Sequence, residues 1–364
     1  MAKRAISLVA ALGLLALMAA PVAAHDDRDH HDRGENEYIV RTLVSDGGVP
    51  ADRTDANLVN AWGLAASPTS PWWVANNGSD SSTLYKGDGT AVPLVVKVLT
   101  GPTGTVYNGT GAFMVSGSGA SGPARFIFAT ENGTILGWNP NVPAANSTST
   151  ELGADRSSVG AIYKGLASGS VNGATYLYAA DFHNARVDVF NGSFALQTWA
   201  GAFVDPELPH GYAPFGIQNL NGTIFVTYAK QDAAKHDEVD GRHRGFVSAF
   251  APGGMFLGRV ASRGALNSPW GLAWAPADCG RFSGDLLVGN FGDGKIHAYK
   301  MTVHGWRFAG TLRGEHHRAI AIDGLWALGF GNGAGSGPTH TLYFTAGPNH
   351  EKAGAFGSIV ADDD

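Results

Sequence analysis

The chain has a single cysteine, Cys279. That excludes an intramolecular disulfide, a CxxC redox pair and a cysteine zinc cluster. Charge is also scarce: Asp, Glu, Lys and Arg make up 15% of the chain, against about 25% in ordinary soluble domains. This argues against a coiled coil and an acidic disordered chain. The balance of 25 Lys+Arg and 31 Asp+Glu, net −6, argues against a nucleic-acid binder with a dominant basic face. After the first 24 residues no apolar run approaches the roughly 18 residues of a membrane span. A Walker loop, HExxH and a GxSxG elbow are all missing. Gly117-Ser118-Gly119 lies in a loop without nucleophile-elbow context. Cys279 sits in Ala277-Asp278-Cys279-Gly280, a turn-like stretch without a cysteine-enzyme signature.

What is abundant is glycine, 51 of 364 residues, about twice the ordinary share, together with 18 Phe, 10 Tyr and 9 Trp. Many glycines, many aromatics and few charges predict an all-β protein with tight turns. Residues 1–24 read as a cleaved leader. Lys3 and Arg4 precede an apolar run from Ala5 to Ala20, and Val22-Ala23-Ala24 offers small residues for cleavage. The expected location is therefore secreted or periplasmic, and loss of Lys3 and Arg4 moves the net charge from −6 to −8. Residues 25–37, HDDRDHHDRGENE, contain no apolar side chain and are expected to be a solvated, disordered tail. Its histidines, led by His25 as the new N-terminus, could bind copper or another metal loosely. Residues 362–364 form an acidic end.

Between them runs a repeat. Ser268-Pro269-Trp270-Gly271-Leu272-Ala273-Trp274 is followed by Leu286-Leu287-Val288-Gly289-Asn290 and Ile296-His297-Ala298-Tyr299. Asn60-Ala61-Trp62-Gly63-Leu64-Ala65 and Ala213-Pro214-Phe215-Gly216-Ile217 open similar copies. Four short strands recurring every 40–60 residues, roughly the length of one blade, predict a β-propeller. First strands are expected near Asn60–Ala66, Gly111–Ser116, Gly160–Ala167, Ala213–Gln218, Ser268–Ala275 and Asp323–Phe330, giving six four-stranded blades in one domain over 38–361. The last copy lacks a fourth strand, which Tyr38–Val44 can supply, removing an open sheet edge. Asn77-Gly78, Asn132-Gly133, Asn191-Gly192 and Asn221-Gly222 are expected hairpin turns, although several also match N-x-S/T glycosylation acceptors. The aromatics Trp62, Phe215, Trp270 and Trp326 recur at one repeat position, which predicts packing between blades.

The pattern PxGLA…LxVxNxxxGxIxxY resembles NHL-type and SMP-30/gluconolactonase-type six-bladed propellers. Asn57-Leu58-Val59-Asn60-Ala61-Trp62-Gly63, Tyr228-Ala229-Lys230-Gln231-Asp232 with Lys235-His236-Asp237, and Val288-Gly289-Asn290-Phe291-Gly292-Asp293-Gly294 also resemble an uncharacterised family of secreted bacterial propellers, over nearly the full length. That resemblance implies the fold and no reaction. The SMP-30-like resemblance implies one channel metal held by Glu, Asn and Asp, but the early Glu is absent, and Asn60 stands near its place.

Strand ends facing a central funnel supply the candidate site. Asn60, Glu131, Asp181, Asn290 and Asp323 are the candidate metal ligands, an oxygen set suited to calcium. Asn76, Asn108, His183, Tyr228 and His350 are the candidate ligand-binding residues. For any one of them, turn chemistry at a strand end is the plainer reading. The polar insertion from Lys230 to Asp240 reads as a solvated loop, or as a lid or metal-binding loop. The expected function is a monomeric binding or interaction module that takes a small molecule or a protein at its funnel. The alternative is a calcium-dependent lactonase or esterase.

Overall fold

The computed structural model describes residues 37–362. The leader (1–24), nearly all of the His/Asp-rich tail and the last two residues lie outside that range.

Six four-stranded antiparallel blades form a propeller, and a two-residue strand, Arg53–Thr54, adds parallel to the outer edge of the sixth. From inner to outer strand, blade 1 comprises Ala61–Ala65, Trp72–Asn76, Ser81–Tyr85 and Ala91–Lys97, and blade 2 comprises Pro102–Tyr107, Phe126–Thr130, Thr134–Trp138 and Glu151–Asp155. Blade 3 runs from Tyr163–Val171 to Leu196–Gln197, blade 4 from Tyr212–Leu220 to Phe256–Ser262, and blade 5 from Pro269–Trp274 to Gly305–Thr311. Blade 6 takes Leu325–Phe330, Leu342–Ala346 and Ala355–Ala361 from the C-terminal end, and Tyr38–Ser45 from the other end of the chain.

Tyr38–Ser45 pairs antiparallel with Ala355–Ala361, as expected. A bulge between Thr42 and Val44 lets the consecutive residues Leu43 and Val44 both turn inward. Tyr38 stacks on Phe282 and donates its hydroxyl to the Cys279 carbonyl. Cys279 is itself buried, and burial pushes its thiol up to about 12, so it is an inert core residue.

The inner strands of successive blades adjoin around the ring, and that of blade 6 adjoins that of blade 1. The repeated glycine explains how they come so close. A Cβ at Gly63 would strike the Thr103 carbonyl of blade 2, and one at Gly216 or Gly271 would strike the carbonyl of Trp270 or Trp326 in the next blade. Gly104 and Gly165 likewise meet the backbone of the following inner strand. Threonines lock two of these joints: Thr103 Oγ1 donates to Tyr163 O across blades 2 and 3, and Thr345 Oγ1 to Trp62 O across blades 6 and 1.

Two expectations are corrected. The inner strand of blade 2 is Pro102–Tyr107, whereas Met114–Gly117, from the stretch taken as that strand, pairs with Ala120–Pro123 in a separate hairpin. Of the four Asn-Gly pairs, Asn221-Gly222 alone is a two-residue hairpin turn with both φ positive (53° and 82°). Asn77-Gly78 starts a short 3-10 turn instead.

Candidate functional site

One position of each inner strand faces the axis, immediately before the close-contact glycine (Ala327 in blade 6). In chain order it holds Trp62, Thr103, Lys164, Phe215, Trp270 and Trp326. The four aromatics meet at the centre. The rings of Trp62 and Trp326 stack at 3.6 Å, Trp270 meets Trp326 edge-on at 5.8 Å, and Phe215 lies 5.7 Å from Trp326. Phe291 stacks on Trp326 at 4.1 Å and is half-buried. These residues therefore plug the axis, and the packing between blades expected of them takes place there, ring against ring.

Lys164 breaks the series. Its side chain is 1% exposed, and its ammonium lies over the Trp62 ring. It donates to Glu131 Oε1 at 2.5 Å and Asp237 Oδ1 at 3.1 Å. Trp270 Nε1 donates to the Lys164 carbonyl at 2.9 Å, fixing the backbone beneath it. Burial works against the charge, but Glu131 and Asp237 outweigh it and hold the ammonium above the ordinary lysine range.

From Lys164 a hydrogen-bonded arc crosses the plug. Asn77 Nδ2 donates to Glu131 Oε2 at 2.8 Å. Asn60 Nδ2 donates to Asn77 Oδ1 at 3.2 Å and to Glu351 Oε2 at 2.8 Å, and Trp326 Nε1 donates to Asn60 Oδ1 at 3.1 Å. At the other end His236 Nδ1 lies 2.8 Å from Asp237 Oδ1. Blades 6, 1, 2, 3 and 4 all contribute. Asn349, His350 and Glu351 are three successive non-glycine residues with left-handed φ (59°, 56° and 64°). Such backbone costs energy and persists where the surroundings demand it; here it delivers Glu351 to Asn60.

The cup is rich in carboxylates. Desolvation raises the pKa of Glu351, although its bond from Asn60 opposes this. Desolvation pushes Glu238 up to about 8, against the pull of Lys164. For Asp237 the desolvation is outweighed by Lys164 and His236, and its pKa falls. Glu131, His236 and Asp237 have ligand atoms within 4.8 Å of one another, the spacing of a metal site. The Lys164 ammonium, however, is bonded to the same Glu131 and Asp237 oxygens.

Of the five candidate metal ligands, Asn60 and Glu131 share this arc. The other three are bonded elsewhere. Asp181 accepts from Ile162 N and from both nitrogens of Asn184. Asn290 donates to Ala265 O and Asp293 Oδ1. Asp323 accepts from Asn349 N at 2.8 Å, bracing the strained turn from outside. Among the candidate ligand-binding residues, Asn76 is buried and bonded to Ser81 and Thr83, and Tyr228 is buried in the core of blades 3 and 4. His183 lends its carbonyl to Gln231, and His350 is exposed in the left-handed turn. Asn108 follows the inner strand of blade 2 instead of starting it, so it sits at the opposite end of the propeller. Lys164, Asn77 and Glu351 were not singled out from sequence. Lys164 was findable as the one charged residue at the axial repeat position.

Solved propeller structures resemble this one. A streptogramin B lyase superposes with a TM-score of 0.51 at 10% identity, covering 89% of this chain and 97% of its own. A glucose dehydrogenase superposes with 0.51 at 14% identity, covering 89% and 100%. At these identities the likeness is one of fold.

No family model matches the chain. Sequence relatives are found in Acanthamoeba polyphaga mimivirus. Uncharacterized protein R648 is 30% identical over 346 residues, 91% of this chain and 82% of its own length. Uncharacterized protein L690 is 31% identical over 340 residues, 89% and 86% of the two chains. These relatives are viral, so they lend no support to the bacterial source expected from the resemblance. Identity at this level across nearly the whole propeller places the chain in one protein family with these two mimivirus proteins.

Proposed function

We propose that this propeller is a ligand-binding module whose site is the axial cup over Lys164, and that its ligand is a small molecule carrying a protonated amine. The observation that carries this reading is the charge count around a single buried ammonium. Glu131, Asp237, Glu238 and Glu351 surround Lys164, and burial raises the pKa of Glu238 and Glu351 against the pull of that one ammonium. An incoming cation adds positive charge to this carboxylate cup, with the half-buried Phe291 ring offering apolar surface to its carbon skeleton. The leader-like segment at 1–24 supports a secreted or periplasmic site of action, and exported protein beginning at His25 is the corresponding mass-spectrometric expectation.

The test is calorimetric titration of the full chain with diaminopentane and with pentanediol, its neutral isostere, at neutral pH in two buffers of different ionisation heat. The reading expects the diamine to bind and to release protons as Glu238 ionises, and the diol to stay silent. Equal behaviour of the two compounds, or no binding by either, overturns it.

A calcium-dependent hydrolase is the second reading, and the grouping of Glu131, His236 and Asp237 favours it. A calcium ion there must displace Lys164 from the two carboxylates it already neutralises. Calcium-dependent melting that disappears in Asp237→Asn would favour this reading over the amine.

A further inference from the structure

The inner strands end at a second mouth, remote from Lys164. There a cavity of about 480 Å³ is walled by residues of all six blades, among them Thr105, Ser168, Gln218, Trp274 and Phe330. Beside it lies a second chamber of about 410 Å³ that shares Tyr107, Ser168 and Asn219 with the first. Toward the plug the axis narrows to about 10 Å³ between Gly63, Gly104 and their neighbours, so this mouth is a closed bowl.

The composition of the bowl is distinctive. Neither chamber has an Asp, Glu, Lys, Arg or His in its wall. A charged ligand would find no counter-charge there. Tyr107, Trp274 and Phe330 are half-buried, leaving ring surface for an apolar face. Hydrogen-bonding capacity is present: the Gln218 amide lines the cavity, and the buried Thr105 Oγ1 and Trp72 Nε1 in the wall have no partner among the described residues. A purely apolar guest would leave that capacity unused.

We infer that this mouth is a second binding site, for a neutral saccharide of two or three rings. A sugar ring has an apolar face to lay on an aromatic side chain and hydroxyls that both donate and accept. The two connected chambers, each within the size range of small-molecule sites, accommodate more than one ring.

The experiment is an array of neutral, acidic and amino oligosaccharides probed with the full-length protein, followed by calorimetry with the strongest hit. Binding confined to neutral glycans is expected. Gln218→Ala should weaken it roughly five- to tenfold, the worth of one hydrogen bond. Ala66→Trp, which fills the bowl from its wall, should abolish it. Both positions are half-buried strand-end residues, and an unchanged melting temperature establishes that each variant is folded. Silence across the neutral glycans, preference for charged ones, or binding unaffected by either variant overturns the proposal.

Discussion

The Lys164 ammonium lies 5.2 Å from the centre of the Trp62 ring, so the single charge among the axial residues rests on the aromatic plug that closes the channel. Its stem is buried with the plug and its head belongs to the carboxylate cup. The same residue therefore tests both the packing of the ring and the chemistry of the site.

Lys164→Met keeps the stem and deletes the charge. Glu131 and Asp237 then face each other without their cation. We expect a loss of about 1–3 kcal/mol by urea denaturation, below the range for a fully buried pair because Asp237 is 61% exposed. Adding Glu131→Gln should recover part of that loss, and a further loss of full size would contradict the pairing.

Glu238 makes the fold pH-sensitive. Its pKa is raised from 4.5 to about 8 on folding, so the native state holds a proton that the unfolded chain has released. Stability is therefore greatest below the unfolded value and declines as pH climbs from about 4.5 to 8. Glu238→Gln should flatten that decline. Denaturation curves of the two proteins at several pH values check it, and parallel curves would refute it.

Asp323 braces the left-handed turn through Asn349 N and takes no part in the arc. Asp323→Ala should cost about 0.5–1.5 kcal/mol, the worth of one hydrogen bond, and by the same amount with calcium or with chelator. Melting curves in both conditions decide this.

Gly216→Ala places a methyl group against the Trp270 carbonyl of the next blade. Overpacking of this kind costs about 1–3 kcal/mol. Gly222→Ala, at a turn position with open space around it but φ of 82°, should be destabilised through backbone strain alone. A melting temperature for Gly216→Ala equal to wild type would show that the inner strands can part.

Removal of 38–45 takes away Tyr38, Leu43 and Val44, each buried and worth roughly 1.5–3 kcal/mol, and opens the edge of blade 6. Aggregation or a large fall in melting temperature is expected. Removal of 25–36 should leave melting unchanged.

The blades were legible because aromatic-Gly-aliphatic is a physical requirement repeated around the ring: an axial side chain, then a residue without Cβ where the next strand passes. Blade 2 was misread because Thr103 stands where an aromatic was sought, while the apolar stretch around Phe113 imitates a strand of the repeat. The site was harder to read. Glu131 shows itself as a strand-end acid. Glu351 and Asp237 arrive from irregular loops whose backbone geometry, left-handed over three residues in one case, no periodicity announces. Lys164 hides because a search for recurring residues passes over the copy that differs.

Trp62, Trp326 and the glycines around them make the propeller a septum in place of a tube. Between the acidic bowl and the neutral one the axis narrows to about 10 Å³. Yet Lys164 and Ser168, one in each bowl, are four residues apart on a single extended strand, about 13 Å. The two vessels therefore share a wall member: one strand, bulged at Lys164, lends a side chain to each.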